Sequence, residues 1–213
     1  MSRRLPVFPL GTVLVPGAAL PLHIFEPRYR ALMDDLTGAE LGTPLIAPEL
    51  GVVGIERGHE VGGGEVRHLV GTLTHLIDSN RLPDGRWVAV FSGVGRFRVD
   101  EWLPDDPYPL AMVTDLEEPG WETADDAALA AARARTEEVL AMAVQAGDLT
   151  GPVSVPWSDD PWRAAWQVCA AAPIGPFDRQ RLLETERVAA RLERLMAELD
   201  GAAEMFAFRM GGR

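Results

Sequence analysis

The chain has 213 residues, enough for one large domain or two small ones, and its 47% hydrophobic and 24% charged content is that of a folded globular protein, not a disordered or fibrous one. Its 20 basic residues against 32 acidic ones leave a net charge of −12, which repels a phosphate backbone unless the basic side chains gather on one face. All 20 are arginines, so these residues contain no Walker A phosphate loop, no Schiff-base amine and no Ser-Lys hydrolytic dyad.

From the N-terminus, Leu5 to Leu10 and Ala18 to Phe25 read as two strands joined around Pro16-Gly17. Arg3-Arg4 and the apolar run to Leu22 superficially match an export signal. Pro6, Pro9, Pro16 and Pro21 break that run, so no leader is expected, and no stretch reaches the roughly 18 uninterrupted apolar residues of a membrane span. Glu26-Pro27 reads as a helix start, with proline where its missing N–H costs nothing; the helix covers Arg28 to Leu36 and stops near Gly38. Gly51 to Arg57 is another short strand, followed by the flexible run Gly62-Gly63-Gly64.

The strongest local signal is a hairpin in which Leu69 to Ser79 and Arg86 to Ser92 flank the turn Leu82-Pro83-Asp84-Gly85. Gly93-Val94-Gly95 bends the chain into a further strand, with Phe97 and Val99 on one face and Arg96 and Arg98 on the other. Tyr108 to Leu116 closes the sheet, placing Tyr108, Leu110, Met112, Thr114 and Leu116 together. Short strands with a single helix among them predict a strongly curved sheet or partly closed barrel, not a doubly wound α/β fold.

Near residue 120 the composition shifts to Ala, Leu, Glu and Arg at helical spacing. Thr123 with Asp126 resembles a capping box for a helix reaching Gly147. Gly147 to Trp157, with Pro152 and Pro156, is a connection; Asp160-Pro161 begins a second helix ending before Pro173. A third begins near Asp178 and carries a stripe of Leu182, Ala189, Leu192, Met196 and Leu199. Three antiparallel helices are expected, packed together or onto the sheet.

Motifs that carry chemistry are scarce. His23, His59, His68 and His75 share no HxH or HxxxH spacing, so no metal is expected. Ser92 has glycines on one side only, and the third glycine of GxGxxG is replaced by Arg98 after Gly93 and Gly95 and by Arg67 after Gly62 and Gly64. No cofactor is implied. The lone Cys169, next to no His or Arg in sequence, reads as buried and inert, and a single cysteine fits a cytoplasmic protein. Adjacent carboxylates such as Asp34-Asp35 and Asp159-Asp160 read as solvated charges, since neighbours in sequence rarely face one cleft. Trp157, Trp162 and Trp166 stand out. The last two lie one helical turn apart and either pack the helices onto the sheet or form the aromatic wall of a peptide groove at that junction.

The opening Leu5-Pro6-Val7-Phe8-Pro9-Leu10, then Val15-Pro16-Gly17 and Leu20-Pro21-Leu22-His23-Ile24-Phe25-Glu26-Pro27-Arg28-Tyr29-Arg30, resembles the N-terminal substrate-binding domain of Lon proteases. Gly51 to Gly58, Val70 to Leu73, Leu82 to Arg86 and Gly93 to Val99 recur in the family's order, with Leu41 to Pro48 as an insertion or shifted loop. The resemblance covers residues 4 to 118 and, more loosely, the helices to about 200. It implies an α+β protein: a PUA-like β pseudo-barrel of about six strands with one or two helices over residues 1–118, a bundle of about three helices over 119–205, and a tail over 206–213. It further implies a free-standing bacterial member without ATPase or protease parts, a non-enzymatic module that binds unfolded or specific proteins and peptides. Phe25, Glu26, Arg28, Tyr29, Trp162 and Trp166 are the candidate contact residues, although Glu26 with Arg30 as an ion pair and Tyr29 as an anchor of the helix are structural alternatives. Two other functions stay open: RNA binding, should Arg67, Arg81, Arg86, Arg96 and Arg98 gather on one side, and a small-molecule binder or enzyme using His23 and His75 in the barrel.

Overall fold

In the computed structural model the order is β1 (Ser2–Leu10), β2 (Ala19–Ile24), α1 (Pro27–Thr37), β3 (Glu49–Arg57), β4 (Val66–Arg81), β5 (Trp87–Leu103), β6 (Leu110–Leu116), α2 (Thr123–Ala146), α3 (Pro161–Ala171), α4 (Pro176–Glu184) and α5 (Val188–Gly211). The structure describes residues 2–38, 49–58, 64–150 and 154–211. The expected insertion at Leu41 to Pro48, Gly62-Gly63 and His59 lie outside the described residues. Two compact units divide the chain, Met1–Glu117 and Glu118–Arg213.

In the first unit the strands form one sheet in the order β2-β5-β4-β3-β1-β6, and β5 pairs again with β6 to close a five-stranded ring. This closure needs β5 to change partners along its length. Its first half pairs with β2 (Ala19 opposite Ser92, Ile24 opposite Trp87) and its second half with β6 (Arg96 opposite Leu116, Leu103 opposite Leu110). Gly93-Val94-Gly95 is the point of change, so the expected bend is a bulge inside one strand, not a break between two: Leu73 faces Gly95 and Thr74 faces Gly93, leaving Val94 extra. A Cβ on Gly93 would stand 2.8 Å from the Val15 carbonyl oxygen, so only glycine lets the two segments approach this closely.

Two apolar layers result. Leu5, Val7, Val53, Phe97, Val99, Ala111 and Val113 fill the ring. A second layer lies between the sheet and α1, where Tyr29, Leu32, Met33 and Leu36 meet Phe8, Leu50, Val52 and Phe91. With both faces covered, β1 is buried continuously from Leu5 to Leu10, which is why its sequence shows no polar alternation. The ring is tight: a Cβ on Gly71 would lie 2.4 Å from the Val52 carbonyl oxygen and 2.7 Å from the Phe97 ring. On β6 the expected set divides. Tyr108 and Leu110 join the layer under α1 and Met112 and Thr114 are half-buried, while the alternate residues Ala111 and Val113 fill the ring. Arg96, on the face of β5 opposite Phe97 and Val99, is 2% exposed, whereas Arg98 on the same face is exposed.

In the second unit α2 ends at Gly147 as expected, but its capping register is shifted by one: the Asp125 carboxylate accepts the Glu122 N–H at 2.9 Å. Asp160 caps α3 by accepting the Arg163 N–H at 2.7 Å. The expected third helix is two, since the chain leaves helical geometry at Thr185 before α5 begins. The carbonyls freed at that break are used: those of Thr185 and Glu186 accept from the Arg191 guanidinium, at 2.9 and 3.3 Å. Residues 206–211 are not a tail but the last turns of α5, held by the buried Phe206. The long helices α2 and α5 run parallel: Arg135 pairs with Asp200 at 2.7 Å, and Asp148, just past the end of α2, pairs with Arg209 near the end of α5.

Candidate functional site

The motif from Phe25 to Arg30 sits where β2 passes into α1. Phe25 is 55% exposed, directly after the buried Ile24. Glu26 is the N-cap, in extended backbone, and Pro27 opens the helix. A cap side chain does not share the helix face of the residue four on. Glu26 accordingly pairs with Arg28 at 3.2 Å and not with Arg30 as expected. The Arg30 guanidinium instead packs against the β4–β5 turn, 2.2 Å from where a Cβ on Gly85 would stand. Arg28 also lies over the Tyr29 ring, 4.5 Å from its centroid. Tyr29 presents no surface to a partner: it is 2% exposed and stacked on Phe8, centroids 3.9 Å apart. Burial raises its phenol pKa above the ordinary value, and its hydroxyl has no hydrogen-bond partner among the described residues. Phe25 is therefore the exposed residue of this motif, Glu26 and Arg28 are half-buried beside it, and Tyr29 is its anchor.

The five arginines weighed for RNA do not make a basic face. Arg67 pairs with Glu65 at 2.7 Å and stacks over Trp102, Arg81 approaches Asp34 at 3.7 Å, Arg86 pairs with Asp84 at 2.7 Å and Arg98 with Asp100 at 3.5 Å. Arg96 is buried. The positive charge is neutralised at each position or withdrawn from solvent. Of the histidines, His23 is exposed on β2 and His75 lies 3.4 Å from Glu49. Among the described residues no three His, Cys, Asp or Glu side chains are grouped to hold a metal ion.

In the second unit the tryptophans separate. Trp166 is 3% exposed, with the fully buried Arg191 guanidinium 3.7 Å from its ring centroid, and Arg191 also reaches Glu118 at 3.2 Å. Trp166 is core and cannot wall a groove. Trp162 is half-buried with its ring edge-on to Trp121 at 5.4 Å, and Trp157 donates its indole N–H to Glu137 at 2.8 Å. A cavity of about 200 Å³ opens beside Trp121, lined also by Glu122, Asp125, Arg187 and Val188, smaller than the usual site for a drug-sized ligand. Cys169 is fully buried, and although Arg191 and Arg179 come near it in space, burial dominates and pushes its thiol up to about 12. Sequence reasoning missed the exposed apolar residues Phe177, Met205 and Phe208, which the period of a helix alone assigns to neither face.

A closed β ring with one extra strand and a covering helix, followed by a helical unit, is an α+β architecture. The chain belongs to the family of ATP-dependent protease La (LON) substrate-binding domains, whose model matches residues 4–201. It is 24% identical to the Lon protease of Desulfosudis oleivorans over 96% of this chain, and 30% identical to Lon protease 2 of Sorangium cellulosum over 90%. It spans about a quarter of the length of these relatives, 25% and 24% respectively. A Lon N-terminal domain protein from Xanthomonas campestris shares the fold with a TM-score of 0.62 and 26% identity, covering 92% of this chain and 98% of that one. The N-terminal domain of the Mycobacterium avium complex Lon protease shares it with a TM-score of 0.63 and 20% identity, over 93% and 98%.

Proposed function

We propose that this chain recognises segments of unfolded or specific proteins and performs no chemistry of its own, acting as an adaptor in cytoplasmic protein quality control. Membership of a substrate-binding domain family carries the reading. The all-arginine basic complement supports it, because neither a phosphate-loop lysine nor a Ser-Lys dyad exists in these residues. Phe25, flanked by Glu26 and Arg28, is the contact point we assign to the first unit, and Trp162 the one we assign to the second. Each offers exposed ring surface beside charged groups, the composition that carries binding energy at protein interfaces.

The test is fluorescence anisotropy with carboxymethylated α-lactalbumin, a permanently unfolded chain, against the native folded form and a single-stranded RNA. Binding of the unfolded chain alone is expected, with a loss of about three- to tenfold on Phe25→Ala. Binding of the RNA with none of the unfolded chain would reverse the reading.

A further inference from the structure

Ring closure leaves β2 as the exception in the sheet. Among the described residues every ring strand has neighbours on both sides, whereas β2 pairs with β5 alone. The Gly93 N–H donates to the Ala18 carbonyl at 2.9 Å, so the backbone groups of Ala18 face β5, and by alternation so do those of Leu20, Leu22 and Ile24. The N–H and C=O groups of Ala19 and His23 and the C=O of Pro21 therefore point away from the sheet. Proline fits this position because its missing N–H is not one the β2–β5 ladder uses. The side chains divide in the same way. Leu20 and Ile24 are buried in the layer under α1 and Leu22 is half-buried against it, while Ala19, Pro21 and His23 are exposed on the other face.

We propose that the outer edge of β2 receives an extended polypeptide as an additional strand, one with apolar side chains at alternate positions. The inference rests on the protein-recognition reading and names its mode. An added strand lies about 4.8 Å away, so alternate side chains fall beside Leu20, Leu22 and Ile24 and extend the apolar layer over the part of Leu22 now open to water. The unpaired donors of Ala19 and His23 and the carbonyls of all three outward residues supply the backbone hydrogen bonds, independent of the incoming sequence. The chemistry matches what an unfolded chain exposes: unpaired backbone and apolar side chains. A second copy of this chain is the poorer occupant. Two β2 edges paired around Pro21 lose a donor on each side, whereas a proline-free segment loses one.

Amide hydrogen exchange, resolved by NMR on the full chain with carboxymethylated α-lactalbumin, tests this directly. Exchange at Ala19 and His23 should slow at least about tenfold on binding, with Leu20 and Leu22, already bonded to β5, as internal references. An Ala19→Pro, His23→Pro double variant should bind at least about tenfold more weakly with unchanged circular dichroism. Should that variant not fold, exchange in the unaltered protein decides alone. Binding without protection at Ala19 and His23 overturns the added strand and leaves protein recognition standing. Absence of binding overturns both. Protection without the probe, accompanied by concentration-dependent dimers in sedimentation, overturns it in favour of a second copy.

Discussion

Arg191→Ala should be among the most damaging single changes in the helical unit. The guanidinium is fully buried; it donates to the Thr185 carbonyl at 2.9 Å, the Glu186 carbonyl at 3.3 Å and Glu118 at 3.2 Å, and it covers the Trp166 ring at 3.7 Å. Removing one side of a buried ion pair costs about 3–5 kcal/mol, mostly through the groups left behind. Glu118 is 25% exposed and can rehydrate, but the two carbonyls at the α4–α5 break cannot regain a charged donor, so about 3–4 kcal/mol is expected. Urea unfolding followed by circular dichroism and tryptophan fluorescence measures it. Arg191→Met, which keeps a stem on Trp166, should recover about 1 kcal/mol. Arg181→Ala, in a looser pair with Glu198 at 3.5 Å, should cost under about 1 kcal/mol. A cost near zero for Arg191→Ala, or one matched by Arg181→Ala, would refute the assignment of Arg191 as the buried hub.

Other expectations concern both units. Gly71→Ala forces a Cβ against the Val52 carbonyl and the Phe97 ring, and should lower stability by about 2–3 kcal/mol in thermal or urea denaturation, with no rescue from the flexible end of a side chain. Cys169, its thiol pushed up to about 12 by burial, should not react with Ellman's reagent at pH 8 until urea unfolds the chain, when one equivalent appears. Both tyrosines are raised, Tyr29 by burial and Tyr108 by burial and its 2.7 Å hydrogen bond to Asp35. The folded state thus holds protons that the unfolded state releases near pH 10, so stability is intact below that pH and falls as pH rises beyond it. Absorbance at 295 nm should show no phenolate in the folded protein at pH 11, and its appearance should coincide with loss of circular dichroism.

Where one local rule decided an element, the sequence was sufficient. Pro83 and Gly85 located the β4–β5 turn, Pro27 opened α1 and Gly38 closed it, and Asp160-Pro161 began α3. Readings failed where a second layer intervened. Alternation on β5 puts Arg96 and Arg98 on one face, but only Arg98 reaches solvent, because burial of that face changes along the strand. The stripe from Leu182 to Leu199 has a helical period, but a period does not register that Thr185 has turned extended. Nor does it give direction, which for α2 and α5 follows from the pairs Arg135–Asp200 and Asp148–Arg209. Among candidate contact residues, aromatic identity marked Phe25 and Tyr29 alike, and only packing on Phe8 separates the exposed ring from the anchored one.

The parallel course of α2 and α5 bears on how the helical unit is made. Adjacent helices joined by a short turn can zip from that turn outward, each new contact close in sequence to the last. Here no such turn exists. The chain must traverse everything from Gly147 to Arg187, forming two shorter helices on the way, before α5 can lie alongside α2 in register. The entropy of closing that excursion falls due before the pairing that rewards it, which assigns this all-helical unit the slower assembly of a fold built on distant contacts.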